Sequence, residues 1–394
     1  MRKKIIIGVL IIVVANFACS KIIKRSDAPA DYPIVEHSYE RINIIGETSN
    51  KGNFDPTVEY NSDGTVGYLI YSGLEQPEKD VGFHNIKYIH THLAKTNDNG
   101  KTWQFVKRIT ESTSDTVESP IFTKAYKLKN NIQGMWHHEV PTLVHDPDDP
   151  GKEWKLFWHK YFSADMPKGT ERPRILSHSW IMLKEADSPE ELANAEEIKL
   201  FGTETAVSPA KFNFQNIIGK TSNLSTYSEP ASLYYNKKIY VILSYFGTSL
   251  RPELVLISSR DHGKTWEYIG SPLDDKDTKY LNKDYKSFWG VALAEEGGKV
   301  FLLAPPIHKK YSYQGTFIFE FENIDSAKLK RNSKGNPIVI KYIKRSLSGN
   351  INSGQSDYHK YNIYGGIIFP QADLDSAPAA AQIFNTKEKI INEK

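Results

Sequence analysis

The stretch TNDNGKTW at residues 96–103 recurs as SRDHGKTW at residues 259–266, with Asp, Gly, Lys, Thr and Trp held in one register. Each copy follows a β-rich run (YIHTHLAK and ELVLISS) and precedes another (QFVKRI and EYIG), so both read as the tip of a hairpin. Gly100 and Gly263 supply the positive φ of a tight turn, Asp98 and Asp261 accept hydrogen bonds from turn amides, and Trp103 and Trp266 pack the turn onto the sheet below. A chain that folds back twice by the same device is built from repeated antiparallel units.

A weaker repeat surrounds these hairpins. The segments NFDPTVEYNSDGTVGYLIYSG, HHEVPTLVHDPDDPGKEWKLFWHKYF and YSEPASLYYNKKIYVILSYFG share an order: acidic residue, Pro, small residue, apolar strand, polar turn, aromatic-rich strand. They start near Asp55, Glu139 and Glu229. Two more segments, from Phe288 and Asn362, keep the two-strand rhythm without the acidic start. Units of roughly 40 to 90 residues, rich in strands, predict an all-β fold: a β-propeller of four-stranded blades, with five blades favoured and six left open. The stretch ERINII, 40–45, is placed to add a strand to the last blade and close the ring. Ser188-Pro189-Glu190-Glu191 reads as a capped helical turn, the only convincing helix in the chain.

The repeated Asp, Gly and Thr-Trp pattern in a hairpin resembles the Asp-box (BNR repeat) of the sialidase superfamily of β-propellers. In that family the box lies on the outer part of a blade, so the resemblance implies architecture more than chemistry. Two positions depart from the sialidase pattern. Phe54 and Tyr245 stand where the resemblance would place arginines of the triad that clamps the sugar carboxylate, and a missing guanidinium fork argues against a true sialidase. The DP of the first unit and the EP of the third resemble arabinanase-type five-bladed glycoside hydrolases, in which an Asp of the first blade is the base and a later Glu the acid. The resemblance implies a hydrolase acting on carbohydrate.

In a propeller the first strand of each blade lines the central channel, and Asp55, Glu139 and Glu229 stand near the start of the first three units. Glycoside hydrolysis needs two carboxylates flanking the scissile bond, one protonated and one ionised, about 5 to 10 Å apart. These three are the candidate catalytic residues. Candidate sugar-binding residues are Trp136, His138, His159, Tyr227 and Trp289, because rings stack on sugar faces and imidazoles bond hydroxyls. His137, His138 and Glu139 also raise a metal site, but neighbours on a strand point to opposite faces, so no metal is expected. No cofactor is expected either. Arg172 and Arg174 read as surface-loop residues, with binding of an acidic substrate as the other reading. The competing functional reading is a non-catalytic propeller that binds carbohydrate or protein.

The chain opens MRKKIIIGVLIIVVANFACS, a basic start followed by a short apolar run, which reads as an export signal over 1–18. Cys19 is the only cysteine among the 394 residues, so it has no internal disulfide partner. With Ala18 before it, Cys19 resembles the acylated cysteine of bacterial lipoproteins, which implies a lipid anchor in the cell envelope. Residues 19–37 are expected to be a tether and 38–394 a single propeller domain. The formal charge of +3 is dispersed among interleaved Lys, Asp and Glu and gives no basic stripe for nucleic acid. The expected partners are a carbohydrate or glycoconjugate and the membrane, with the protein acting as a monomer.

Overall fold

Alternating apolar residues and tight polar turns make each unit an up-and-down antiparallel sheet. The structure, a computed structural model, describes residues 32–35, 40–76, 88–120, 123–124, 131–165, 174–219, 226–246, 252–309, 313–344, 354–373 and 380–391. Blade 1 comprises Gly52–Tyr60, Gly67–Glu75, Tyr88–Thr96 and Trp103–Thr110. Blade 2 comprises Asn131–His145, Trp154–Ala164, Arg174–Ala186 and Ile198–Gly202, with Thr113–Glu118 added along its first strand. Blade 3 comprises Thr226–Tyr235, Lys238–Phe246, Pro252–Ser259 and Glu267–Gly270. Blade 4 comprises Ala292–Glu296, Lys299–Ala304, Thr316–Asn323 and Val339–Ile343.

The fifth blade takes strands from both ends of the chain. Asp357 bridges Ile368, Ile368–Asp373 pairs with Ala380–Asn385, and Glu40–Arg41 completes the blade on Ala380–Asn385. Thus 40–41 closes the ring as the sequence predicts, while Ile44–Ile45 runs on to pair with the outer strand of blade 1. Buried apolar clusters fill all five blade junctions. Tyr68 and Ile70 meet Leu156 between blades 1 and 2, and Phe157 and Ile181 meet Val241 between blades 2 and 3. Leu256 meets Phe319 between blades 3 and 4, Phe301 meets Ile367 between blades 4 and 5, and Ile368 meets Leu69 between blades 5 and 1. A five-bladed β-propeller follows directly.

The two repeated stretches form the same turn between third and fourth strands. Asp98 accepts from the Thr102 amide at 2.9 Å and hydroxyl at 2.7 Å, and Asp261 accepts from those of Thr265 at 2.8 and 2.7 Å. Gly100 and Gly263 have φ of 85° and 83°. Each turn also clasps the preceding blade: Asn99 donates to the Tyr361 carbonyl, and His262 Nδ1 lies 2.9 Å from Asp146 Oδ2. Trp103 is fully buried, whereas Trp266 is partly buried against Phe157 and Phe201.

Two expectations are corrected. The tether does not extend to residue 37, because Ile34–Val35 pair in parallel with Val339–Ile343 of blade 4. Residues 1–31, including the signal segment and Cys19, lie outside the described residues. The Ser188-capped turn exists as a short 3₁₀ helix, Pro189–Ala193, but it is not the only helix. Asp275–Leu281 is an α-helix closed by a capping box of Asp274 and Asp277, and the sequence reading missed it because Asp takes the place usually held by Glu or Gln.

Candidate active site

Three first strands, and the residue just before a fourth, share a left-handed backbone near the channel. Asp55, Val140, Glu229 and Gly290 have φ of 49°, 53°, 57° and 56°. In blades 1, 2 and 3 the ladder register shifts at these residues, between Phe54 and Thr57, opposite Phe157 and His159, and between Ser228 and Ala231. The prolines at 56, 141 and 230 follow immediately. A non-glycine residue in the left-handed region costs about 1–3 kcal/mol and persists where the surroundings impose it, most often at functional sites. Here the bulges deliver Asp55 and Glu229. Val140 occupies the equivalent place in blade 2, so Glu139 stands one residue earlier than the repeat suggests.

All three carboxylates nevertheless lie close enough to act on one another's charge. Burial first, and then the charges of Glu139 and Glu229, push the Asp55 carboxyl well above its ordinary range, against a hydrogen bond from Ser72 at 3.3 Å. Burial raises Glu229 to about 7, with Glu139 adding to the rise and Tyr313, Arg174 and the Gly290 amide opposing it. Tyr313 donates to Glu229 Oε1 at 2.9 Å, and among the described residues Glu229 Oε2 has no hydrogen-bond partner. Glu139 Oε2 accepts from Tyr161 at 2.6 Å and from Arg174 at 2.9 Å. Several buried carboxylates around one guanidinium cannot all ionise at neutral pH, so a proton is retained within the group.

Arg174 corrects the surface-loop reading. It begins the third strand of blade 2, stacks 3.8 Å from the Tyr161 ring centroid, and pairs with Glu139 with both side chains under 20% exposed. Arg172 lies outside the described residues. His159 supports this arginine: its Nδ1 lies 3.4 Å from the guanidinium and its Nε2 lies 2.8 Å from Ser179 Oγ. Burial and then the Arg174 charge hold the imidazole neutral. His159 is thus a buried brace and not a sugar contact.

The other candidate sugar-binding residues divide by strand parity. Cross-strand partners share a face, and Glu139 opposite His159 and His137 opposite Tyr161 lie on the blade-3 side of blade 2. Trp136 and His138, opposite Phe162 and Lys160, lie on the other side. His138 is buried and accepts from Trp158 Nε1 at 3.0 Å, so neither it nor Trp136 joins the carboxylates. This separation also dissolves the His137–His138–Glu139 metal reading. Tyr227 is corrected as well: it is buried between blades 2 and 3 and donates to the Phe201 carbonyl. Trp289 is half-buried next to Gly290, whose amide reaches Glu229.

Sequence reasoning missed Ser72, Tyr161, Tyr313 and Gln355. Gln355 lies on the innermost stretch of blade 5, buried, with neither amide atom hydrogen-bonded among the described residues. Its backbone lies against Gly290, and a side chain at neighbouring Gly354 would come within 3.4 Å of Asp55 Oδ1. A different group, Asp146, Asp149 and His262, has metal-ligand spacing. The Lys155 ammonium already serves it, 2.5 Å from Asp149 Oδ2 and 3.9 Å from Asp146 Oδ2.

No family model and no curated protein matches the chain. Among solved structures it is similar to sucrose-6-phosphate hydrolase from Lactobacillus gasseri, at 13% identity over 85% of this chain and 58% of that one, with a TM-score of 0.45. A Trypanosoma rangeli sialidase mutant displaying trans-sialidase activity is similar at 13% identity, over 88% of this chain and 57% of that one, with a TM-score of 0.43. The native arabinanase of Bacillus subtilis is similar at 13% identity over 86% of this chain and 95% of that one, with a TM-score of 0.45. The chain spans 58% and 57% of the first two, less than two thirds of their length. With TM-scores below 0.5, these likenesses carry nothing about substrate or reaction.

Proposed function

We propose that this protein is an exported glycoside hydrolase, anchored through a lipid on Cys19, that cleaves carbohydrate with Glu229 as proton donor and Asp55 as base or nucleophile. The observation that supports the chemistry is the buried group of Asp55, Glu139 and Glu229, in which Glu229 is raised to about 7. An acid with that proton affinity is about half protonated at neutral pH, where a general acid is best matched to giving its proton to a leaving oxygen in the transition state. Asp55 takes the base or nucleophile role from its place on the first blade; a hydrogen bond from Ser72 and the Arg174 charge favour its ionised form, against the larger effects of burial and the charges of Glu139 and Glu229. Glu139, fixed by Arg174 and Tyr161, sets the charge felt by the other two.

Tyr313 paired with Glu229 also has the look of a sialidase-type tyrosine nucleophile. Burial and then the charges of Glu229, Asp55 and Glu139 all keep the Tyr313 phenol protonated. It therefore serves as a hydrogen-bond donor to Glu229. The unpartnered Gln355 amide is suited to a sugar hydroxyl. The first twenty residues support export and acylation by their basic, apolar and Ala-Cys pattern.

The test is a screen of chromogenic glycosides with the full chain, followed by Glu229→Gln and Asp55→Asn on any substrate turned over. Each substitution should lower kcat by about 100-fold or more with little change in affinity. Hydrolysis that survives both substitutions removes these residues from the mechanism. Binding of a glycan without any turnover by the wild type returns the protein to the non-catalytic reading.

A further inference from the structure

On the blade-1 side of blade 2, away from the three carboxylates, lies an open cavity of about 700 Å³. That volume falls within the range of small-molecule sites, about 300–1,000 Å³. Its walls differ in charge. One side carries Asp115 and Glu118 on the added strand, and Asp115 Oδ2 accepts from Trp136 Nε1 at 2.9 Å. The other carries Lys160 and Lys199. Between them lie the rings of Trp136 and Trp180, 5.9 Å apart and tilted by 34°.

The cationic wall is pre-organised and incompletely neutralised. Lys199 Nζ donates to Ser208 Oγ at 2.6 Å and stands 4.4 Å from the Trp180 ring centroid, while Trp180 Nε1 donates to the Ser208 carbonyl at 3.2 Å. Ser208 thereby fixes both the lysine and the indole. Lys160 pairs with Glu197 at 2.8 Å, but among the described residues no carboxylate pairs with Lys199. Burial, and then the charge of Lys160, push the Lys199 ammonium below its ordinary value.

We propose that this cavity is a second binding site, distinct from the central carboxylates, for an anionic sugar residue. The acid group of the sugar sits at Lys199 and Ser208, its ring lies on the partly exposed indole of Trp136, with the buried Trp180 behind it, and its hydroxyls donate to Asp115. Indoles offer the apolar faces that sugar rings stack on, and a carboxylate accepts from ring hydroxyls. A neutral glycan would leave Lys199 unpaired. A nucleotide would bring its phosphates to the same lysines, and competition with AMP tests that occupant.

The experiment is a glycan array carrying neutral, uronate-containing, sulfated and sialylated glycans, probed with the full chain and with folded variants, and with AMP as competitor. Retention of acidic over neutral glycans is expected. It should fall by about tenfold or more in Lys199→Gln, recover in Lys199→Arg and be lost in Trp136→Ala. It should persist in Glu229→Gln and Asp55→Asn, so failure of the hydrolase reading leaves this result standing. The proposal is overturned if no acidic glycan is retained above the neutral ones. Loss of retention in the central variants but not in Lys199→Gln overturns it too, as does equal displacement by AMP.

Discussion

Replacing Glu229 by Gln should make the protein more stable at alkaline pH while removing its activity. The carboxyl has an ordinary value of 4.5 and is raised to about 7 by burial, at 4% exposure. A group raised on folding contributes stability that is fully present below about 4.5 and is lost as pH rises through about 7. At 1.36 kcal/mol for each tenfold in proton affinity, the interval from 4.5 to about 7 corresponds to about 3 kcal/mol. Gln keeps the acceptor for Tyr313 and never ionises, so the variant escapes this loss. Relief of the Glu229 charge on Asp55 acts in the same direction. Urea unfolding followed by Trp fluorescence should show the variant gaining about 3 kcal/mol on the wild type between pH 4 and pH 8, roughly 4 °C in Tm for a chain of this size. Wild-type kcat should fall about tenfold per pH unit above about 7, as the acid loses its proton. An identical stability difference at both pH values would refute the reasoning, because Glu229 would then ionise in the fold without cost.

Arg174→Met removes a charge that favours the ionised forms of Asp55 and Glu229, so both proton affinities rise and the pH–rate profile should move to the alkaline side. Left beside Glu139 without its partner, the site should also lose up to about 3–5 kcal/mol of stability, read from urea midpoints; an unmoved profile would separate Arg174 from the acid–base group. Trp103→Ala should cost about 3–5 kcal/mol and Trp266→Ala less, since Trp103 is fully buried and Trp266 only partly so; equal losses in thermal unfolding would contradict this ranking. Cys19→Ser should release the protein from the membrane fraction, and unchanged partition in that variant would reject the lipid anchor.

What could be read from the sequence was local. The repeated turns were legible because Asp98 and Asp261 make their bonds within four residues. Asp55 and Glu229 were legible because the bulge that aims them leaves a proline directly after it. Tyr227 shows the limit of such a marker. It stands two residues before Glu229, yet its ring belongs to the junction with blade 2, a partner set by packing between blades. Ser72, Tyr161, Arg174 and Tyr313 come from second strands, a third strand and the approach to another blade, at separations that no local pattern encodes. The capped helix at Asp275–Leu281 was missed for a narrower reason, the use of Asp at a position where Glu or Gln is the usual signal.

A left-handed residue at the same place in four blades, with a bulge in three of them, explains why carboxylates collect at this end of the channel. Asp55, Val140 and Glu229 each carry a strained backbone, and only Gly290 adopts the conformation freely. Strain repeated at equivalent places needs a scaffold that imposes it, and the five buried blade junctions supply one. In blades 1 and 3 the strained residue is itself the carboxylate, whereas in blade 2 it is Val140, buried at 3%, and the acid stands one residue earlier. That offset puts Glu139 on the face of blade 2 that holds Tyr161 and Arg174, the two groups that bind it. Blade 2 therefore contributes an anchored charge beside the two bulge carboxylates. Under the proposed hydrolase reading the blades divide the labour: Glu229, with one oxygen unpartnered among the described residues, carries the proton, and Glu139, held by two donors, regulates it.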